Sequence, residues 1–368
     1  MTNSVVAKGN ATSGNKRKAR SQHFMSALTC GLDVHKDWTD VTVRRNMDGE
    51  IVMGVRKLPN ERILGFLKKH PDISRIAMEA STSAVPLYRD LKEAGYNDVL
   101  VSHPKKTRLI AESVIKSDRV DSEAISELAR MSALPLAYIP PPEIAKLREK
   151  VRRRAFLVRM RTKLKNKVRM QLLYEGTKEP EANEYGLFTK KGVGWLSSLK
   201  LDSVDMYMRL VRSLDAEAKL LSDELKAMAP FDEDAKLLMT IPGVGYYSAL
   251  LIKSEIGSID RFPDGEHLCS YAGLVTSVSQ SGKRRRYGSI TKEGSSWLRW
   301  VMVQCAHTHL KQDTSITRAY HSIAESKGKG VATVAAARRL LMCCYSVLKN
   351  RRPYYDPSGH YKTDDQAN

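Results

Sequence analysis

The apolar pattern changes period along the chain, and the changes divide it. From about residue 27 to 135 the apolar runs are short. Leu28–Val34 has the length of a strand, and Thr39–Arg45 alternates Val41 and Val43 with polar neighbours. Asn46-Met47-Asp48-Gly49 supplies turn chemistry before Ile51–Lys57 resumes an extended pattern, which predicts a hairpin. Glu61–Lys69 predicts a helix, Ser74–Met78 a strand, Val85–Ala94 an amphipathic helix closed by Gly95, and Asp98–Ser102 a strand. Ser117–Met131 predicts a helix with Ala124, Leu128 and Met131 on one stripe. The order is β-β-β-α-β-α-β-α. An antiparallel opening followed by crossover units predicts a mixed sheet with helices on its faces.

Pro140-Pro141-Pro142 marks a boundary, after which the period lengthens. Ile144, Leu147, Val151, Leu157, Leu164, Val168 and Leu172 recur near heptad spacing. Leu210, Leu214, Ala218, Leu221, Leu225 and Met228 keep steps of three and four. The two runs predict an antiparallel coiled-coil hairpin or an oligomerising helix pair. From about 232 to 352 the pattern is mostly helical, interrupted by Ile241-Pro242-Gly243-Val244-Gly245 and by a polar, glycine-punctuated loop from Ser277 to Gly294. Five segments follow: a basic tail 1–26, an α/β domain 27–140, linker helices 141–230, a mostly α-helical domain 231–355 and a tail 356–368.

Charge narrows the function. The net charge of the 368 residues is +20, an excess that favours polyphosphate partners. Residues 151–170 hold nine Lys or Arg and no acid; Arg152, Arg153 and Arg154 are candidate phosphate contacts, with a solvated helix face as the plainer explanation. Cys30, Cys269, Cys305, Cys343 and Cys344 form neither a metal spacing nor a disulfide framework. No apolar run reaches the roughly 18 residues that span a bilayer, and the N-terminus has no apolar signal core. The expected location is the cytoplasm, at the nucleoid, with no membrane partner.

Carboxylates supply the first candidate chemistry. Asp33 ends the first apolar strand and Glu79 ends the strand beginning near Ser74, so neighbouring strands would bring both to one sheet edge. Asp118 and Asp121, three apart at a helix start, would share a face. Four such acids repel one another unless a cation neutralises them, and hard oxygen ligands select Mg²⁺ or Mn²⁺. Two ions about 3.5–4 Å apart suit phosphodiester cleavage. Singly each acid has an ordinary explanation; Asp118 would serve as a helix-start charge. Ser281 stands beside Gly282 and before Lys283, Arg284, Arg285 and Arg286, where a hydroxyl could attack phosphate and the cations steady it. On composition alone a turn and a backbone-binding loop explain that stretch better. Gly243 and Gly245 fit either a phosphate-holding hairpin or a tight interhelix turn.

Together these residues resemble the IS110-family transposases, also called bridge-RNA-guided recombinases. Gly31-Leu32-Asp33-Val34-His35-Lys36 resembles the opening G-[IL]-D-x-x-K, Glu79 the E-A-T strand end, and Lys116-Ser117-Asp118-Arg119-Val120-Asp121 the K-[ST]-D-x-x-D-A motif. Ile241-Pro242-Gly243-Val244-Gly245, Tyr271-Ala272-Gly273-Leu274, Gln280-Ser281-Gly282, Gly288-Ser289-Ile290-Thr291-Lys292-Glu293-Gly294 and Leu298-Arg299 resemble the second domain. Lys116, Lys292 and Arg299 join the candidate nucleic-acid contacts. Ser81-Thr82-Ser83-Ala84 departs from the family's Thr-Gly and Tyr, and Ser122 replaces its Ala.

The resemblance implies a RuvC-like, RNase H-fold first domain whose Asp33, Glu79, Asp118 and Asp121 hold Mg²⁺ or Mn²⁺. It implies a helical second domain whose Ser281 attacks DNA to form a phosphoserine, conserving the bond for rejoining. It also implies a structured non-coding guide RNA, double-stranded donor and target DNA, and dimers to tetramers with active sites assembled between protomers. Two rivals stand beside this reading. One is a RuvC-like junction endonuclease using metal-bound water; the other is a non-catalytic nucleic-acid-binding protein, against which the intact acid set counts.

Overall fold

The computed structural model describes residues 28–114, 121–178, 186–281 and 284–356. The basic tail, Lys116, Asp118, Lys283 and the segment from 357 onward lie outside the described residues. Two compact units divide the chain, meeting in sequence at Ile139 and Pro140.

In the first unit, β1 (Leu28–Val34), β2 (Trp38–Arg45) and β3 (Ile51–Pro59) run as an antiparallel meander. Then come α1 (Ile63–Lys69), β4 (Ile73–Glu79), α2 (Ala84–Glu93), β5 (Val99–Ser102), α3 (Pro104–Val114) and α4 (Ser122–Arg130). The sheet order is β3-β2-β1-β4-β5, with β4 parallel to both β1 and β5. That topology is an RNase H-like α/β fold. Strand alternation splits the buried residues between two faces. Cys30, Leu32, Ile76 and Met78 pack with Ile63, Leu67, Leu87 and Leu91 of α1 and α2. Ala77 faces the other way, against Ala124, Ile125, Leu128 and Ala129 of α4. Each fully buried Leu or Ile contributes about 1.5–3 kcal/mol, so both layers are held firmly.

Two local expectations need correction here. The helix read from Ser117 begins at Ser122, and Met131 is its C-cap, 48% exposed, rather than part of the buried stripe. The helix α3 was not anticipated. It opens on Pro104, whose missing N–H suits a first helical position.

In the second unit, α5 (Pro142–Tyr174) and α7 (Asp202–Met228) lie antiparallel. The direction follows from three cross-links, Lys150 to Glu224, Arg154 to Ser222 and Arg161 to Asp215. The distal end of this hairpin closes on α6 (Lys190–Ser198) through Val168, Leu172, Leu196, Val204, Met208 and Val211. The expected seam is out of phase at its ends. Leu210 and Met228 are exposed, and Val204, Met208 and Val211 take the buried positions. Ala155 is buried where Leu157 was expected.

The proximal end of the hairpin, Leu147, Val151 and Leu225, shares a core with the helices that follow. These are α8 (Glu233–Met239), α9 (Tyr246–Ile256), α10 (Gly265–Tyr271), α11 (Ser296–His309), α12 (Ser315–Lys327) and α13 (Lys329–Asn350). By length and composition α13 could cross a membrane, contrary to the expectation of no such run. Its Ala336, Ala337, Leu340, Leu341 and Cys344 are instead packed into this core. The polar stretch read as a loop is a two-stranded hairpin, β6 (Thr276–Ser281) and β7 (Arg284–Ile290). Thr276–Ser281 and Arg284–Ile290 hold too few apolar residues for alternation to reveal them.

Candidate active site

The acids of the first unit gather at one rim because of strand parity. Leu32 pairs with Met78, so Asp33 and Glu79 follow side by side at the carboxyl ends of parallel strands. Gly31, two residues before Asp33, faces α4 so closely that a Cβ there would lie 2.2 Å from the Ser122 carbonyl oxygen. Asp33 therefore stands on the α4 face, at the level of that helix's first turn. Asp121 is the N-cap of α4; its Oδ1 accepts from the amides of Glu123 (3.1 Å) and Ala124 (3.0 Å). This corrects the picture of Asp121 as an acid inside a helix turn shared with Asp118. Capping leaves Oδ2 of Asp121 without a bond among the described residues. Ser122, the departure from the family's Ala, is fully buried and pairs its hydroxyl with Thr42 at 2.8 Å.

Two further residues at this rim went unassigned in the sequence. Asp40 is the cross-strand partner of Asp33. Burial pushes its carboxyl up, but the Lys57 amide (2.7 Å) and Arg56 (3.0 Å) outweigh that and hold it below its ordinary value. His35 places Nε2 3.3 Å from Asp33 Oδ2 and stacks on Trp38. The signal for Asp40 was a lone acid within an alternating strand, which reads equally well as a solvent-facing position.

The electrostatics suit a cation. Burial raises the Asp33 carboxyl; His35 opposes this, while Asp40 and Asp121 add to it. Burial also raises Glu79, and the Asp33 charge raises it further. Glu79 has no hydrogen bond or ion pair among the described residues. Half-buried carboxylates that repel one another, with Glu79 lacking a partner among the described residues, fit a divalent ion, and an all-oxygen donor set is the one hard cations prefer. No three acidic, histidine or cysteine side chains among the described residues are grouped tightly enough to form a complete ligand set.

In the second unit Ser281 ends β6, with Arg284 as its register partner across the hairpin. Arg285 and Arg286 pair with Gln280 and Ser279 along β7. The base of this hairpin is pinned by two interlocking glycine turns. Gly294 has φ +98°, and a Cβ on it would stand 2.1 Å from the Tyr271 carbonyl oxygen; Gly273 has φ +65°, and a Cβ there would stand 2.4 Å from the Glu293 carbonyl oxygen. The Ser295 amide donates to Tyr271 O, Lys292 N donates to Gly273 O, and Arg299 Nη1 donates to Ala272 O at 2.8 Å. So Arg299, expected at nucleic acid, is tied into this clasp, while the Lys292 side chain is exposed.

Other candidate phosphate contacts also have internal partners. Arg152 grips the buried Glu255 at 2.7 Å, and Ser295 donates to the same carboxylate. Arg154 bonds Ser222 and lies over Tyr247, and Arg153 pairs with Glu149. Arg159 stacks on Trp297 and Trp300. In the same run Lys163 and Lys167 are exposed and form no ion pair among the described residues. Gly243 has φ +87°, and a Cβ there would meet the backbone of Cys305 and His309 at 2.7 Å. Its packing role is therefore visible, whereas Gly245 is simply the N-cap of α9.

A family model described as Transposase, for a DEDD domain, matches residues 30–174. A second, described as Transposase IS116/IS110/IS902 family, matches residues 235–322. The transposase for insertion sequence element IS1111A of Coxiella burnetii is 26% identical over 96% of this chain and 98% of its own length. The transposase for IS1328 of Yersinia enterocolitica is 26% identical over 64% of this chain and 71% of its own. The pilin gene-inverting protein of Moraxella bovis is 32% identical over 33% of this chain and 38% of its own. An RNase H-like fold with an acid rim, matched in this way, defines a DNA-acting enzyme of the transposase class. The chain belongs to the IS110 family of insertion-sequence transposases, and its DEDD domain implies a divalent metal requirement.

Proposed function

We propose that the protein moves an insertion sequence by cutting and rejoining DNA, guided by a structured non-coding RNA. The observation that supports the catalytic part is that Asp33 and Glu79 stand side by side at the carboxyl ends of parallel strands, with Asp121 capping α4 close enough to raise the Asp33 carboxyl. Together with Asp118 these acids would hold Mg²⁺, with Mn²⁺ as a substitute. The bound ion supplies charge neutralisation at the scissile phosphate. His35 steadies Asp33, and the amides of α4 steady Asp121, so the carboxylates present fixed oxygens.

Ser281 is the proposed nucleophile. Its Oγ forms a bond to phosphorus as its proton leaves, and the P–O bond to one deoxyribose breaks, with that oxygen taking a proton. The reverse step, with a different deoxyribose oxygen attacking the phosphoserine, reseals the strand without net hydrolysis. Arg284, Arg285, Arg286, Lys283 and Lys292 are assigned to phosphate, as are Lys116 and the exposed Lys163 and Lys167. Donor and target choice is left to base pairing with the RNA. The acting form is an oligomer, from dimer to tetramer, in the cytoplasm at the nucleoid.

The test of the acid rim is Asp33→Asn. Cleavage of a cognate DNA in Mg²⁺ should fall by about 10²-fold or more, while the metal-free protein melts at an equal or higher temperature because a repulsive charge is gone. Full cleavage by this variant would sink the metal role. Recombination by protein purified free of RNA would sink the guidance.

A further inference from the structure

Four buried side-chain polar atoms lack a hydrogen-bond partner among the described residues: Ser102 Oγ, His103 Nδ1, Arg161 Nε and Arg338 Nε. The two guanidinium groups are held by their other nitrogens, Arg161 on Asp215 and Arg338 on Glu266. Ser102 and His103 have no such compensation, and they are consecutive residues at the carboxyl end of β5. Folded proteins keep few orphaned hydroxyls, because an unmade bond in the interior is costly.

The register says where the Ser102 hydroxyl stands. Glu79 and Ser102 are direct partners across the parallel β4–β5 pair. Two residues earlier on each strand, Ala77 and Leu100 pack in the core beneath α4. Alternation therefore sets Glu79 and Ser102 on that same face, at its rim, on strands about 4.8 Å apart. Ser102 is 0% exposed, so its hydroxyl is out of contact with bulk solvent. Beside it Glu79 has no hydrogen-bond or ion-pair partner among the described residues. A donor without an acceptor thus neighbours an acceptor without a donor.

We infer that Ser102 is a positioning residue for Glu79: its hydroxyl donates to one carboxylate oxygen when the other oxygen takes up a divalent cation. The inference rests on the proposed metal role of Glu79. In the structure this bond is not made, and Oγ is unpaired. Hydrogen bonds behind a metal-ligating carboxylate typically change metal affinity 10- to 100-fold. The role is distinct from ligation, since the hydroxyl acts through Glu79.

The experiment is a Mn²⁺ titration of the full chain without nucleic acid, by calorimetry or electron paramagnetic resonance, for the unmodified protein, Ser102→Ala and Glu79→Gln. Ser102→Ala should melt in EDTA at the same temperature or higher, since an unpaired buried hydroxyl is removed. Its Mn²⁺ dissociation constant should rise by about 10-fold or more. An affinity within twofold of the unmodified protein would overturn the inference and leave the metal site standing. A clear loss of thermal stability in EDTA would also overturn it, by showing that the hydroxyl is already bonded in the resting fold. If Glu79→Gln binds Mn²⁺ as the unmodified protein does, the metal role of Glu79 fails and the inference falls with it.

Discussion

A Cβ on Gly31 would lie 2.2 Å from the Ser122 carbonyl oxygen, 2.6 Å from the Ser126 amide nitrogen and 2.8 Å from the Ser126 Cβ. Two of these atoms are helix backbone, so the clash is relieved only by moving the start of α4, and with it the capping carboxylate of Asp121. Gly31→Ala should destabilise the first unit by about 1–3 kcal/mol, the usual range for overpacking. It should also weaken cleavage although no acid is altered. A melting temperature and cleavage rate equal to those of the unmodified protein would contradict the close approach. At this scale the sequence was informative where one residue had one job. Asp33 and Glu79 stand at strand ends, and two short apolar runs were enough to locate them. Asp121 was harder, because a capping acid and a helix-interior acid look alike in sequence. Ser102 was read only as the last residue of a strand; its unpaired hydroxyl emerges from the packing of β4, β5 and α4.

Among the elements, α5 shows how a charge run can mislead. Its nine cations between residues 151 and 170 read as a phosphate-binding stripe, yet Arg152 serves Glu255, whose side chain is 1% exposed. Removing the cation leaves a buried carboxylate short of its partner, with Arg148 at 3.9 Å and Ser295 remaining. Arg152→Ala should therefore cost about 3 kcal/mol in urea unfolding, at the low end for breaking a buried pair. Lys163→Ala, at an exposed site, should change stability by less than about 0.5 kcal/mol. Equal stabilities for the two variants would refute the structural role of Arg152. Sequence cannot sort such cations, because the partner lies about a hundred residues away on α9. The same limit explains the seam of α7: steps of three and four admit more than one phase, and only the packing of α6 on Val204 and Met208 selects one. The β6–β7 hairpin was missed for a different reason. Gly282-Lys283 is a two-residue turn sequence with glycine first, but TSVSQS and RRRYGSI give too little alternation to flank it.

The whole molecule combines an RNase H-like unit, legible from element order, with a helical unit that buries a histidine. His309 is fully buried, with Nδ1 2.7 Å from Pro242 O and Nε2 2.8 Å from the Thr314 hydroxyl. Burial pushes its pKa below the usual value; the Pro242 carbonyl and Asp356 push the other way without prevailing. The unfolded chain, with a histidine pKa of about 6.5, thus binds more protons than the folded one just below that pH. Stability from this group is complete above about 6.5 and is lost as pH falls through the depressed folded value. Thermal unfolding between pH 7 and 5 should show a falling melting temperature, with a shallower slope in His309→Gln. An unchanged slope would mean that His309 does not govern this dependence.

Family membership was legible in the sequence because its motifs are short, ordered and spread over both units. The chemistry they serve comes down to which atom attacks the DNA. The most direct measurement is to incubate the protein with its RNA, a cognate DNA and Mg²⁺, quench under denaturing conditions, and locate any covalently bound nucleotide by peptide mass spectrometry. The prediction is a nucleotide on Ser281, absent in Ser281→Ala and strongly reduced in Asp33→Asn. Cleavage by Ser281→Ala at the unmodified rate, with no adduct in either protein, would contradict the account and make water the nucleophile.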